Sequence, residues 1–93
     1  MRVNICGIIH DVIECADDFN VDILHLGQID FKGCRIKINK DSNEQIKNEA
    51  LCHEMIHGIL VHIGRDDLSN DESLVQALGN AICQGFTIKE LSE

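Results

Sequence analysis

The sequence predicts an α+β fold: a small antiparallel N-terminal sheet, then a long helix, then a second helix antiparallel to it. Three observations carry this. The first 40 residues look like strands, with β-branched runs and an apolar/polar alternation that is strict over residues 34–39. Beyond Asp41 apolar residues recur at helical spacing instead, and Gly64 with the polar stretch after it divides that pattern in two. The 93 residues form one domain, 1–93, with room for a single modest core. Only 3% of the chain is aromatic, so that core is expected to be aliphatic.

Each element has its own signal. Residues 3–6 alternate, and the β-branched run 8–13 continues past Gly7, which suggests a bend or bulge there. Residues 16–20 read as a connection, and residues 22–26 fit either a short strand or one helical turn. Residues 28–31 and 34–39 flank Lys32-Gly33 as a hairpin, with Ile36 and Ile38 toward the core and Arg35 and Lys37 toward water. Ser42 with Gln45 three residues on forms a capping-box start for a helix over about 43–63. From Leu51 onward this helix is apolar on most sides, so its second half is expected to be buried. Residues 65–69 form a short polar loop. The second helix starts near Asn70, carries Leu74, Val75, Leu78, Ile82 and Phe86 along one side, and frays after Ile88.

The net charge of −8 argues against a nucleic-acid partner, which needs a basic face. The basic group Lys32, Arg35, Lys37, Lys40 and Lys47 and the acidic stretch 66–72 both read as solvated surface. No run approaches the length of a membrane span, so no membrane partner is expected. Five scattered cysteines without a CxxC pair, and no visible targeting segment, fit free thiols in a reducing cytoplasm.

Residues 53–57 read His-Glu-Met-Ile-His. On a helix, histidines four apart lie about 40° apart around the axis, so both imidazoles reach one metal ion. Glu54 follows the first of them and is placed to act as general base toward water activated at such an ion. Two side chains do not hold zinc, so a third must come from elsewhere. His62 lies nine residues after His53, about 180° around the same helix, and points away unless the helix breaks at Gly58. The position six residues past His57 is Ile63, which excludes the longer three-histidine signature. His10 and His25 lie on the β side and approach only through tertiary geometry. The favoured third ligand is Glu72, brought back by a short interhelical loop, with Asp71 as its main substitute. Against Glu72 stands its own capping box, Ser69-Asn70-Asp71-Glu72, in which it would fold back on the backbone. Gln76, one turn on, is a candidate hydrogen-bond partner for a ligating histidine. Cys52 and Cys83 read as core.

The run His53-Glu54-Met55-Ile56-His57-Gly58, followed by Glu72-Ser73-Leu74-Val75-Gln76-Ala77-Leu78, resembles the short phage and prophage zinc metallopeptidase-like proteins of the minimal gluzincin type. These are distantly related to the ImmA/IrrE metallopeptidases. Gly27-Gln28-Ile29-Asp30 and Arg35-Ile36-Lys37-Ile38 fit the preceding strands, so the resemblance spans most of the chain. It implies a zincin-like fold and one zinc per chain held by His53, His57 and Glu72, with Glu54 as base. It further implies that the strand at 34–39 lines the cleft and pairs with an extended substrate. Larger gluzincins carry a Tyr or His that stabilises the oxyanion, whereas this chain has no Tyr and no histidine placed by sequence for that role. Two functions follow as expectations: a zinc-dependent endopeptidase with a protein or peptide substrate, or a non-catalytic zinc-binding phage protein acting as an interaction module.

Overall fold

The computed structural model describes residues 1–16, 27–89 and 91. The stretch 22–26, most of the 16–20 connection and His25 lie outside the described residues. Four strands, β1 (Arg2–Ile5), β2 (Ile8–Cys15), β3 (Gly27–Asp30) and β4 (Arg35–Asn39), form one sheet in the order β1-β2-β4-β3. Three helices follow: α1 (Glu44–His62), α2 (Asp66–Ser69) and α3 (Glu72–Gly85). The chain is therefore α+β, but the expectation of an antiparallel sheet needs correction. β1–β2 and β3–β4 are antiparallel, whereas β2 and β4 run parallel, from Asp11 opposite Arg35 to Cys15 opposite Asn39. Between β2 and β3 the chain skips one strand position, and β4 returns into the gap alongside β2. Alternation reports which face a side chain takes, not which strand lies beside it.

Gly7 makes neither a bend nor a bulge. With Cys6 it forms a tight hairpin turn, φ being +53° at Cys6 and +89° at Gly7, and Gly7 N–H donates to Asn4 Oδ1 at 2.7 Å. In the second hairpin Asp30 Oδ1 accepts from the N–H groups of Lys32 and Gly33, each at 3.1 Å, and Cys34 takes a positive φ. The reversal thus occupies residues 31–34, wider than Lys32-Gly33 alone.

Ile36 and Ile38 face the core as expected, beside Val3 and Ile5, and pack on Leu51 of α1. On its other side α1 packs Ile56 and Leu60 against Val75 of α3. This places α1 between the sheet and α3, which is why its second half is buried nearly all round. Gly58 lies where α1 crosses the sheet: a Cβ there would come within 3.2 Å of side-chain carbons of Ile5 and Ile29. The helix continues through it unbroken.

Several boundaries move. The N-cap of α1 is Asn43, whose Oδ1 accepts from Ile46 N–H at 2.9 Å, one residue later than Ser42. The expected 65–69 loop contains the single turn α2, and α3 begins at Glu72 with Asp71 as its cap. Of the stripe expected on α3, Val75 is fully buried, but Leu78 is exposed and Phe86 is 72% exposed. Phe86 is the extended C-cap residue, beyond the helical period. Leu78 gives way to Gly79, whose missing side chain lets α3 lie against the α1 backbone. A Cβ on Gly79 would sit 3.3 Å from both N and Cα of His53. Backbone cannot step aside, so Gly79→Ala is expected to destabilise the protein by about 1–3 kcal/mol. Urea unfolding of the two proteins should show the difference as a lower midpoint at unchanged slope. No helix among the described residues is long and apolar enough to cross a membrane.

Candidate metal centre and cleft

Helix α1 carries His53, Glu54 and His57, and the α1–α2–α3 turn brings Glu72 over them. His53 Nε2 and His57 Nε2 are 3.2 Å apart. Glu72 reaches both, with Oε2 3.1 Å from His53 Nε2 and Oε1 2.8 Å from His57 Nε2. A tetrahedral zinc with bonds of about 2.0–2.1 Å holds its donors roughly 3.3 Å apart. The three side chains converge at nearly that spacing, so this group could hold a metal ion.

Proton positions strengthen the fit. Gln76 Nε2 donates to Asn80 Oδ1 at 2.8 Å, which turns its carbonyl oxygen onto His53 Nδ1, also at 2.8 Å. His53 Nδ1 therefore carries a proton, and Nε2 is the ring atom turned toward Glu72 and His57. His57 Nδ1 is held by Ser69 Oγ at 3.0 Å. The expected role of Gln76 as a partner of a site histidine is thus met by its geometry. Ser69 went unnoticed in the sequence because Ser-x-x-Glu before an apolar run reads as a capping box. Instead Asp71 caps α3, its Oδ1 accepting from Leu74 N–H at 3.1 Å, and both Ser69 and Glu72 are released to the histidines. Asp71, the alternative third ligand, is occupied by this cap and does not join the cluster.

Outer hydrogen bonds of this kind orient a ligating imidazole and raise its basicity. Ser69→Ala and Gln76→Ala are each expected to weaken metal binding by about 10–100-fold. Competition with a chromogenic chelator measures this directly, and unchanged affinity in both variants would remove the two residues from the site.

Glu54 is buried, and its Oε2 has no hydrogen-bond partner among the described residues. Burial, reinforced by the nearby charge of Glu72, pushes its carboxyl up to about 7. Burial also holds His57 below the usual histidine range. Glu54 has room because residue 27 is glycine: a Cβ there would come within 3.2 Å of Glu54 Cγ. Nothing in the sequence marks Gly27 for this purpose.

His62 points away as the helical geometry requires, edge-on to His10 (ring centroids 5.9 Å) and Phe31 (6.5 Å). His10 is fully buried on the sheet's inner face, with Nδ1 3.0 Å from the Ile8 carbonyl, and is not among the metal-binding group. Cys52 is core, its thiol pushed up to about 12 by burial. Cys83 is only partly buried and accepts from Asn48 Nδ2 at 3.0 Å.

His53, Glu54, His57 and Glu72 line a cleft of about 690 Å³. Its walls include Gly27, Gln28 and Ile29 of β3 on one side, and Ser69, Asn70 and Gln76 on the other. The strand at 34–39 does not line it. β4 is an interior strand, paired on both sides by β2 and β3, so among the described strands the edge beside the cleft belongs to β3. Comparison with protein-family models, with curated proteins and with solved structures found no match.

Proposed function

We propose that the chain is a zinc-dependent endopeptidase of the minimal gluzincin type, with a zincin-like fold. His53, His57 and Glu72 hold one zinc, and Glu54 is the general base. The observation that carries this is buried Glu54, whose Oε2 has no hydrogen-bond partner among the described residues, beside two imidazoles and a carboxylate that converge at the spacing of zinc ligands. Two nitrogens and one oxygen suit zinc, and three protein ligands leave a coordination position open, as catalytic zinc sites do. Bound there, zinc acts as a Lewis acid toward a peptide carbonyl and toward water.

The residues of the chain do the rest. Gln76 and Ser69 fix both ring orientations, so both Nε2 atoms face one point before any ion arrives. Glu54, buried beside the three candidate ligands, accepts a proton from the attacking water and returns it to the leaving amine nitrogen. Ile29 and Ala50 give the cleft walls an apolar lining beside these groups. The substrate is a protein or peptide in extended conformation. Five free cysteines accord with a reducing, cytoplasmic setting.

A second reading rests on one observation. Apart from the three candidate ligands and Glu54, the described lining holds no Tyr, His, Lys or Arg to stabilise an oxyanion. On that reading the chain is a non-catalytic zinc protein that holds a partner in the same cleft. Incubating zinc-loaded protein with a mixture of unstructured peptides separates the two. New termini that appear with zinc and vanish with a chelator support the peptidase. Retention of intact peptide without any new terminus supports the binding module.

A further inference from the structure

The cleft does not stop at the metal-ligand cluster. Ile46, Glu49 and Ala50 line it together with His53 and His57, a stripe at helical spacing that runs from the cluster toward the N-terminus of α1. Ala50 is small and Ile46 apolar, so between them the wall is smooth and uncharged. Glu49 stands at its exposed rim, with no ion-pair partner among the described residues. The neighbouring cation on α1, Lys47, is already paired with Glu14 and Glu44. Every charged side chain in the described lining is acidic: Glu49, Glu54 and Glu72. Glu72 belongs to the metal-ligand cluster and Glu54 is buried, which leaves Glu49 as the one carboxylate offered to a bound chain.

Resting on the peptidase reading above, we propose that Glu49 is a specificity-determining residue that selects a lysine or arginine of the substrate. The long aliphatic stem of such a side chain suits the Ile46–Ala50 wall, and its cationic head reaches the Glu49 carboxylate. The position follows from geometry. Glu49 precedes His53 by four residues, about 6 Å along the helix axis. An extended peptide advances about 3.3 Å per residue, so the selected side chain lies roughly two residues from the scissile bond.

The test uses zinc-loaded Glu54→Gln protein, which retains the cleft without turning peptide over, and fluorescein-labelled peptides with one Lys, Gln or Glu stepped through each position. At one position the Lys peptide is expected to bind about tenfold more tightly than its Glu counterpart. Adding Glu49→Gln should bring that ratio down to within about threefold, whereas Asp41→Asn, which removes one charge outside the cleft, should leave it unchanged. A ratio insensitive to Glu49→Gln, or lowered equally by Asp41→Asn, overturns the assignment, because the preference then reflects net charge alone. Failure of every peptide to bind overturns it too. Charge-selective binding that depends on Glu49, with no cleavage by zinc-loaded wild-type protein, upholds the assignment and removes the peptidase reading.

Discussion

Replacing Glu72 with alanine is expected to lower zinc affinity by more than about a hundredfold, beyond the range for residues that only orient a ligand. Glu72 is the only side chain in the cluster that approaches both histidines, with one oxygen for each. Without it two imidazoles remain, which is too few for a protein zinc site. The fold should be nearly indifferent. Glu72 is exposed in the first turn of α3, where the helix dipole contributes about 0.3–1 kcal/mol for a carboxylate. Asp71→Ala should do the reverse, losing a cap worth about 1 kcal/mol and leaving zinc affinity intact. Thermal unfolding with and without zinc distinguishes the four outcomes. At a free zinc concentration a hundred times its Kd, the wild-type protein gains about 2.7 kcal/mol. In a chain of this size that raises Tm by roughly 10–20 °C. Glu72→Ala should show almost none of this increase, and Asp71→Ala should show it in full from a lower starting point. Full zinc stabilisation of Glu72→Ala would move the third ligand elsewhere.

The convergence of His53, His57 and Glu72 was readable because it depends on two local rules. Four residues bring two side chains onto one face of a helix, and a short connection brings the start of the next helix back beside the first. Gln76 followed from the same period, one turn beyond Glu72. What escaped depends on competition between equivalent local signals or on distant chain. Ser69 and Asp71 are both good caps, and the sequence does not say that the turn α2 assigns the cap to Asp71 and the hydroxyl of Ser69 to His57. The parallel β2–β4 pair is set by which strand fills the gap beside β2, information held in no single strand. His10 shows the limit of alternation. Ile9 and Ile13 are apolar yet exposed, while His10, on the opposite face of the same strand, is fully buried. Gly27 and Gly79 were silent because a glycine reports room only once the neighbour that uses it is known: Glu54 in one case, the backbone of His53 in the other.

Glu54→Gln should separate metal binding from proton transfer. Glutamine keeps the shape and burial of the side chain but takes up no proton at neutral pH. Zinc-loaded Glu54→Gln should therefore keep about one zinc per chain and lose peptide cleavage by about 10²–10⁴-fold, the usual contribution of a positioned base. In metal-free protein the same substitution has a second, independent signature. The folded state raises the Glu54 carboxyl from 4.5 to about 7, so it favours the protonated form. The associated stability is fully present below pH 4.5 and is lost as the pH rises through 7, since the ionised group is then held in a buried site. A shift of that size corresponds to roughly 3 kcal/mol. His57 acts in the opposite sense: its lowered pKa means the fold favours the neutral ring and loses stability as the pH falls below the usual histidine range. Comparing wild type with Glu54→Gln cancels the His57 contribution to first order and isolates the carboxylate. The stability of Glu54→Gln relative to wild type should thus grow by roughly 3 kcal/mol between pH 4.5 and pH 8 without metal. Zinc should shrink this difference, because a dication beside the carboxylate favours its ionised form. A difference that stays flat with pH in metal-free protein would mean that Glu54 is solvated and ordinary, and would remove the physical basis for its role as the base.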